Sequence, residues 1–326
     1  LKHVSTSSPE LSDIISAFSG KKNNIGTFLP DKNFSLTGIA YGSMADLYSI
    51  GTLNSGIGSV TYEAEFEDMG NSSNRISSNI WVDSLDIGDI LNNSTFGDIS
   101  LDASLNAEIR TPEAGGLRAS IEKMNISSLT VKEHEYKNIS VSGGLEGNTA
   151  DIRLLSHEKA FPAMFQSIIN LREGEQKGLE RIRIYLDIPY ADLLDMNLVH
   201  EGSTATAGVT AKADLQLTGN SILGNVLLDN ISYSNDNGQY HIDSIYVRSA
   251  LSENRHKVTL RSPFLQAGYT STDSPVRLID RLKYSISRPA LERLLTIDSS
   301  KISGENGYYN FHLQTYDMSQ ICDIIM

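Results

Sequence analysis

The stretch Val60-Thr61-Tyr62-Glu63-Ala64-Glu65-Phe66-Glu67 alternates without a break between an apolar and a polar residue. Successive side chains of a β-strand point to opposite faces, so this segment read as a strand has one greasy face and one acidic face. The same alternation recurs in Leu101, Ala103, Leu105, Ala107 and Ile109; in Ile182, Ile184, Leu186 and Ile188; and in Val209, Ala211, Ala213, Leu215 and Leu217. One-sided burial is therefore a property of the whole chain, and it belongs to antiparallel sheets with one solvated face. Turn-forming pairs separate the runs: Gly70-Asn71, Gly115-Gly116, Gly143-Gly144, Gly219-Asn220 and the group Asn235-Asp236-Asn237-Gly238 all read as hairpins. Helical spacing is confined to three places. Ser8-Pro9 opens a segment with Leu11, Ile14, Ile15 and Phe18 on one side, Ser274-Pro275 opens another with Val276, Ile279 and Leu282, and Pro289 leads into Leu291, Leu294 and Leu295. Pro162 to Leu171 fits strand and helix equally.

Composition agrees with many short strands joined by polar turns. The 326 residues are 40% hydrophobic with only 8 prolines, and the formal charge is −13. An acidic chain without clustered Lys and Arg interleaved with aromatics offers nothing to a phosphate backbone, so nucleic acid is not an expected partner. Cys322 is the single cysteine, which leaves no internal disulfide and no thiolate metal cage; it is expected to be free and dispensable. The chain starts at Leu1 and finishes on the apolar run Ile321-Cys322-Asp323-Ile324-Ile325-Met326, so both ends read as cut from something longer. No stretch reaches the roughly 20 apolar residues of a membrane-spanning helix, which places any expected anchor outside this segment.

An internal register accompanies the alternation. Lys32-Asn33-Phe34-Ser35-Leu36-Thr37-Gly38 is matched by Lys137-Asn138-Ile139-Ser140-Val141-Ser142-Gly143, and Gly42, Ala45, Asp46 and Leu47 fall on Gly147, Ala150, Asp151 and Ile152. A weaker third copy sets Asn125-Ile126-Ser127 against Asn230-Ile231-Ser232 and brings Asp243 to Ser249 to the same place. Without Pro- or Gly-rich linkers between copies, the reading is one continuous repeat region over 1–326, with units near 30–134, 135–240 and an incomplete 241–326.

The arrangement Leu36-x-Gly38-x-x-x-Gly42-x-x-x-Asp46-Leu47, followed by Gly56-Ile57-Gly58 and an alternating strand, resembles the repeating unit of AsmA-like proteins. The run from Asn230-Ile231-Ser232-Tyr233 through Tyr240, Ser244-Ile245 and Leu251 is similar to the large TamB proteins of Bacteroidetes-type bacteria. The resemblance covers the chain from about Phe34 onward, without the family's amino-terminal membrane anchor or its terminal domain. It implies a mainly β fold, an elongated, curled antiparallel sheet or β-groove built from repeated units with a few short helices. It further implies a periplasmic bridge, anchored in the inner membrane by an element outside this segment, that passes phospholipid toward the outer membrane. Phospholipid acyl chains and an outer-membrane barrel protein of the assembly module are the partners this implies.

Catalytic and metal-binding patterns are not apparent. His3, His134, His157, His200, His241, His256 and His312 include no i, i+4 pair, and there is no G-x-S-x-G elbow, P-loop or G-x-G-x-x-G. No cofactor or metal is expected, and the chain is not read as an enzyme. Glu63, Glu65 and Glu67 share a solvated face, where carboxylates discourage pairing with other chains. The sequons at Asn33, Asn93, Asn125, Asn138 and Asn230 are read as turn and strand chemistry. The candidate functional surface is the apolar face itself, with Val60, Tyr62, Leu101, Leu105, Ile184, Leu215 and Leu217 expected to line a lipid groove. Alternation alone is equally compatible with the core of a closed sandwich, so an array of β-sandwich modules for adhesion or glycan binding stands as the alternative.

Overall fold

A computed structural model describes residues 4–7, 33–43, 45–70, 73–110, 117–172, 178–218, 221–272 and 309–317. The three segments with helical spacing lie outside the described residues, as do Cys322, the terminal apolar run and the Gly115-Gly116 and Gly219-Asn220 turns. Among the described residues the chain is a mainly antiparallel β-protein of eighteen strands and one short helix. It divides into two compact units, Leu1–Gln166 with Ile188–Thr206, and Ser167–Asp187 with Ala207–Met326.

The first unit is a meander. Strand β1 (Val4–Ser7) pairs with β2 (Asn33–Gly42), and pairing continues in chain order through β3 (Asp46–Ser55), β4 (Gly58–Gly70), β5 (Ser73–Asp86), β6 (Phe96–Ile109) and β7 (Leu117–Val131). Strand β7 then pairs with both the short β8 (His134–Tyr136) and β9 (Ile139–Glu146), and β9 pairs with β10 (Thr149–His157). The first part of β11 (Pro162–Leu171) also lies in this unit, so the ambiguous segment is a strand.

Helix α1 (Ile87–Leu91) is absent from the sequence-based expectation because five residues are too few to show a period. Its signals are its ends. Asp86 accepts from the Asp89 N–H at 2.9 Å, and Asn92 adopts a left-handed conformation at the other terminus.

Gly143-Gly144 does not make a turn. Both residues lie inside β9, and the hairpin falls at Gly147-Asn148 instead. The physical reason for Gly143 is close approach: a Cβ there would stand 2.3 Å from the Asp151 carbonyl oxygen. Gly38, the residue 105 positions earlier, has the same relation to its neighbour, with the Ile50 carbonyl oxygen 2.5 Å from a would-be Cβ. Glycine in these strands is a packing requirement of the sheet.

The second unit contains β14 (Ser221–Asn235), β15 (Gly238–Ser252), β16 (Arg255–Arg261), β17 (Leu265–Ser271) and β18 (Tyr309–Thr315), each paired antiparallel to the next. The expected hairpin at Asn235-Asp236-Asn237-Gly238 is present, and the Asn235 side chain accepts from the N–H groups of Asn237 and Gly238. Strands β11, β12 (Leu179–Asp192) and β13 (Ala205–Thr218) contribute residues to both units.

Gly143→Ala should lower stability by roughly 1–3 kcal/mol, because its added carbon must displace backbone. Gly56→Ala, at a turn position where a Cβ meets nothing within 4 Å, should leave the urea midpoint within experimental error. Equal midpoints for the two variants would refute the close-approach argument.

Candidate functional site

Antiparallel partners point to the same side of a sheet, so the register of the first unit assigns every residue to a face. One rung runs Leu36, Leu53, Val60, Val82, Leu101, Ile126 and Ile139. The next rung passes from Gly38 and Gly51 through Tyr62, Ile80, Ala103, Met124, Val141 and Leu154. A third carries Ala64, Ser78, Leu105, Ile121, Gly143 and Ile152. Four of the seven candidate lining residues, Val60, Tyr62, Leu101 and Leu105, are thus brought together on one apolar face. All four are half-buried.

The face is not uniform along the strand direction. Near the end marked by α1 it is buried, with Phe34, Ile57, Ile126 and Ile139 each at most 9% exposed. A small cluster of Ala160, Ala191 and Met196, packed by Tyr136, Phe161, Ile188 and Leu193, lies at the same end of β8 and β10. At the opposite strand ends the face is open, and Leu47, Ile76, Ile109, Leu117 and Ile152 are all more than one-third exposed. The wall therefore passes from closed to open within a single strand length.

Two irregularities preserve this face. In β7 the apolar residues are Ile121, Met124, Ile126 and Leu129, a spacing of three, two and three that breaks the strand period. The ladder skips Glu122 and Ser127, and each bulge returns the following apolar side chain to the correct side. A third irregularity between Val82 and Leu85, where Ser84 has a positive φ of 50°, does the same in β5. Met124 and Ile126 escape a reading based on strict alternation for this reason, whereas Ile80 and Val82 do so because Ser78 and the out-of-phase Trp81 interrupt the apolar pattern of β5. Runs whose apolar spacing mixes two with isolated threes are the signal that would have found the first pair.

The other face of the same strands carries most of the polar side chains and is internally bonded, although Ile39, Ile50, Trp81 and Leu155 are also exposed on it. Thr52 and Thr61 share a hydrogen bond at 3.1 Å, Ser104 donates to Asn79 at 2.8 Å, and Asn125 donates to Asp102 at 3.0 Å. Glu63 lies here as expected, and it accepts from the Tyr48 hydroxyl at 2.6 Å. That hydrogen bond favours the neutral phenol, and with the desolvation of the ring and the negative field of Glu63 it pushes the Tyr48 pKa up to about 12. Ion pairs on the strands, such as Arg75 with Glu67 at 3.4 Å, are solvent-exposed and contribute little.

The second unit carries apolar rungs as well, although in β14 and β15 the pairs Leu227 with Tyr246 and Ile231 with Ile242 put apolar side chains on the opposite face too. Val226, Val247, Leu260, Ala267 and Leu313 form one rung, and Ser249, Val258, Tyr269 and Phe311 the next. Ile184, Leu215 and Leu217, the remaining candidates, lie in this unit and are half-buried. By alternation they occupy the face opposite the Arg181 to Asp214 ion pair and the Thr210 to Asp187 hydrogen bond of 2.9 Å. Arg181 holds the Asp214 carboxyl below the usual carboxylate range.

No family model, no curated protein and no solved structure matches the chain. The site must accordingly be judged on its own chemistry. Among the described residues no group of three or more His, Cys, Asp or Glu side chains is placed to hold a metal ion, and no helix is long and apolar enough to cross a membrane. What the arrangement offers is an apolar wall of cross-strand rungs in the first unit, whose opposite face carries most of the hydrogen-bonded polar side chains.

Because the folded Tyr48 pKa lies above its unfolded value, near 10, the Tyr48 to Glu63 bond stabilises the fold fully below pH 10 and loses that contribution as pH rises toward 12. Glu63→Gln should return the Tyr48 transition toward 10, read as the tyrosinate absorbance of a difference titration against Tyr48→Phe. An unchanged transition would mean that Glu63 is not its cause.

Proposed function

We propose that the apolar faces of this chain contact phospholipid acyl chains, and that the chain is a segment of a periplasmic, inner-membrane-anchored bridge of the TamB type that passes lipid toward the outer membrane. The observation that supports this reading best is the half-burial of the rungs. Apolar residues in the core of a closed sandwich are sealed by the facing sheet. Here Leu53, Val60, Val82 and Leu101 each retain solvent contact, and the wall opens further toward Ile76 and Ile152. Among the described residues the largest side chain that is fully buried is that of Ser271.

An acyl chain supplies what such a wall lacks. Each CH₂ withdrawn from water gains roughly 0.8 kcal/mol, so a run of rungs holds a lipid tail without any site for its head group. The chemistry calls for neither a catalytic residue nor a cofactor, and the chain is read as a non-enzymatic conduit. Its partners under this reading are the phospholipid, an outer-membrane barrel protein and the inner membrane through an anchor beyond this segment. The adhesive sandwich array is the less well supported alternative, because it needs a second sheet over rungs that remain accessible.

A charge in the wall tests the reading. Leu105→Asp and Leu215→Lys should each abolish lipid photocrosslinking from the substituted unit and weaken the outer-membrane barrier in cells, while circular dichroism and protein level stay close to those of the parent. A well-folded, normally abundant variant that keeps full crosslinking and barrier function would sink the conduit.

A further inference from the structure

We propose that the first unit holds a discrete seat for one aliphatic chain, where β6, β7, β9 and β10 form a dip in the apolar wall. This rests on the lipid-contacting reading and adds to it a fixed station with a size limit. The dip is a hollow of about 580 Å³, within the roughly 300–1,000 Å³ range of small-molecule sites.

Its depth comes from three small residues. Ala107 and Ala119 are direct cross-strand partners, flanked in the same rung by Ile76 on one side and Leu145 on the other. Gly143 lies one rung away and cannot carry a side chain, since its Cβ would stand 2.3 Å from the Asp151 carbonyl oxygen. Large residues thus frame a floor with almost no side chains. Leu105, Ile121, Val141 and Ile152 complete the walls.

The chemistry of the floor selects the occupant. Ser78 is the only polar side chain that the register places on this face of the hollow, and its hydroxyl already donates to the Glu63 carbonyl at 3.0 Å. The backbone groups beneath are engaged in ladders on both sides of β6, β7 and β9, apart from the bulge at Glu122 beside Ile121. A peptide strand laid here would bring N–H and C=O groups to a surface with no partner for them, which is costly. A hydrocarbon chain brings none. The hollow also lies toward the open strand ends, where Ile76 and Ile152 are exposed, so a polar head can remain in water while the tail lies inside.

The test uses the full chain and one probe, palmitate carrying a diazirine at its methyl end, with adducts mapped by mass spectrometry. Adducts should saturate at one per chain and concentrate on β6, β7 and β9 around Ala107, Ala119 and Val141. Ala107→Phe and Ala119→Phe should each cut that saturable class at least tenfold, whereas Ala211→Phe in the second unit should leave it unchanged. The map of the unsubstituted protein decides the matter even if a filled variant fails to fold. Adducts spread evenly over the apolar faces with no saturable class would overturn the seat and leave the conduit standing; no adduct anywhere would overturn both.

Discussion

The cross-strand apolar rung is the interaction on which the first unit depends. In the sheet of β1 to β10, a side chain such as Val60 stands in the ladder between Leu53 and Val82. Each such contact contributes roughly 0.2–1 kcal/mol, and many must act together. Register then becomes the controlling variable, because a slip of one residue would turn every apolar side chain in a strand outward. The three bulges of β5 and β7 and the close-packed glycines at 38 and 143 are best understood as devices that hold that register where sequence or geometry would otherwise lose it.

The polar face solves a different problem. A sheet with one greasy side and a formal chain charge of −13 must avoid stacking with its own copies, and carboxylates spread along the strands oppose that association at little cost in stability. Most of these carboxylates are not in ion pairs that matter energetically; they and their neighbours are tied by hydrogen bonds such as Asn125 to Asp102 and Thr210 to Asp187. The exception in geometry is Arg181 with Asp214, where two guanidinium nitrogens meet both carboxylate oxygens across β12 and β13.

Much of this was legible in the sequence, and the limits have physical causes. Alternation in β4 and β6 carries its own register, so Val60, Tyr62, Leu101 and Leu105 could be placed on one face from the residues alone. Strand β7 could not be read that way, since its spacings of three mimic a helix until the bulges are seen. Glycine pairs were ambiguous for a related reason: Gly143-Gly144 meets the requirement for a turn and for close backbone approach equally well, and only the partner strand distinguishes them. The 105-residue register brings Gly38 and Gly143 to similar close approaches. It does not carry into their hairpins, because Leu36 faces Leu53 whereas Val141 faces Leu154, four residues short of the register's position. The offset of 105 continues without a gap through Gly42/Gly147 and Leu47/Ile152, so the two hairpins differ in where the chain turns: pairing closes at Gly42 with Leu47 in one and at Glu146 with Thr149 in the other.

Half-burial is the property that supports the proposed conduit. A sealed core would hold its apolar groups permanently, and a fully exposed face of this extent would associate with any other greasy surface. A wall of intermediate depth lies between these limits. Along it, a tail moving from one rung to the next, roughly 4.8 Å away, exchanges one set of CH₂ contacts for an equivalent set, and the net change in burial is small. Barriers then arise only where the wall changes character. In the first unit that place is the run of Ala107, Ala119 and Gly143, where the large side chains give way to a floor of small ones. Under the proposed reading, a tail that fits there would gain contact on three sides and leave more slowly than from the neighbouring wall. A conduit with such a station would retain its cargo during an interruption in flow, whereas a featureless wall would release it to either end.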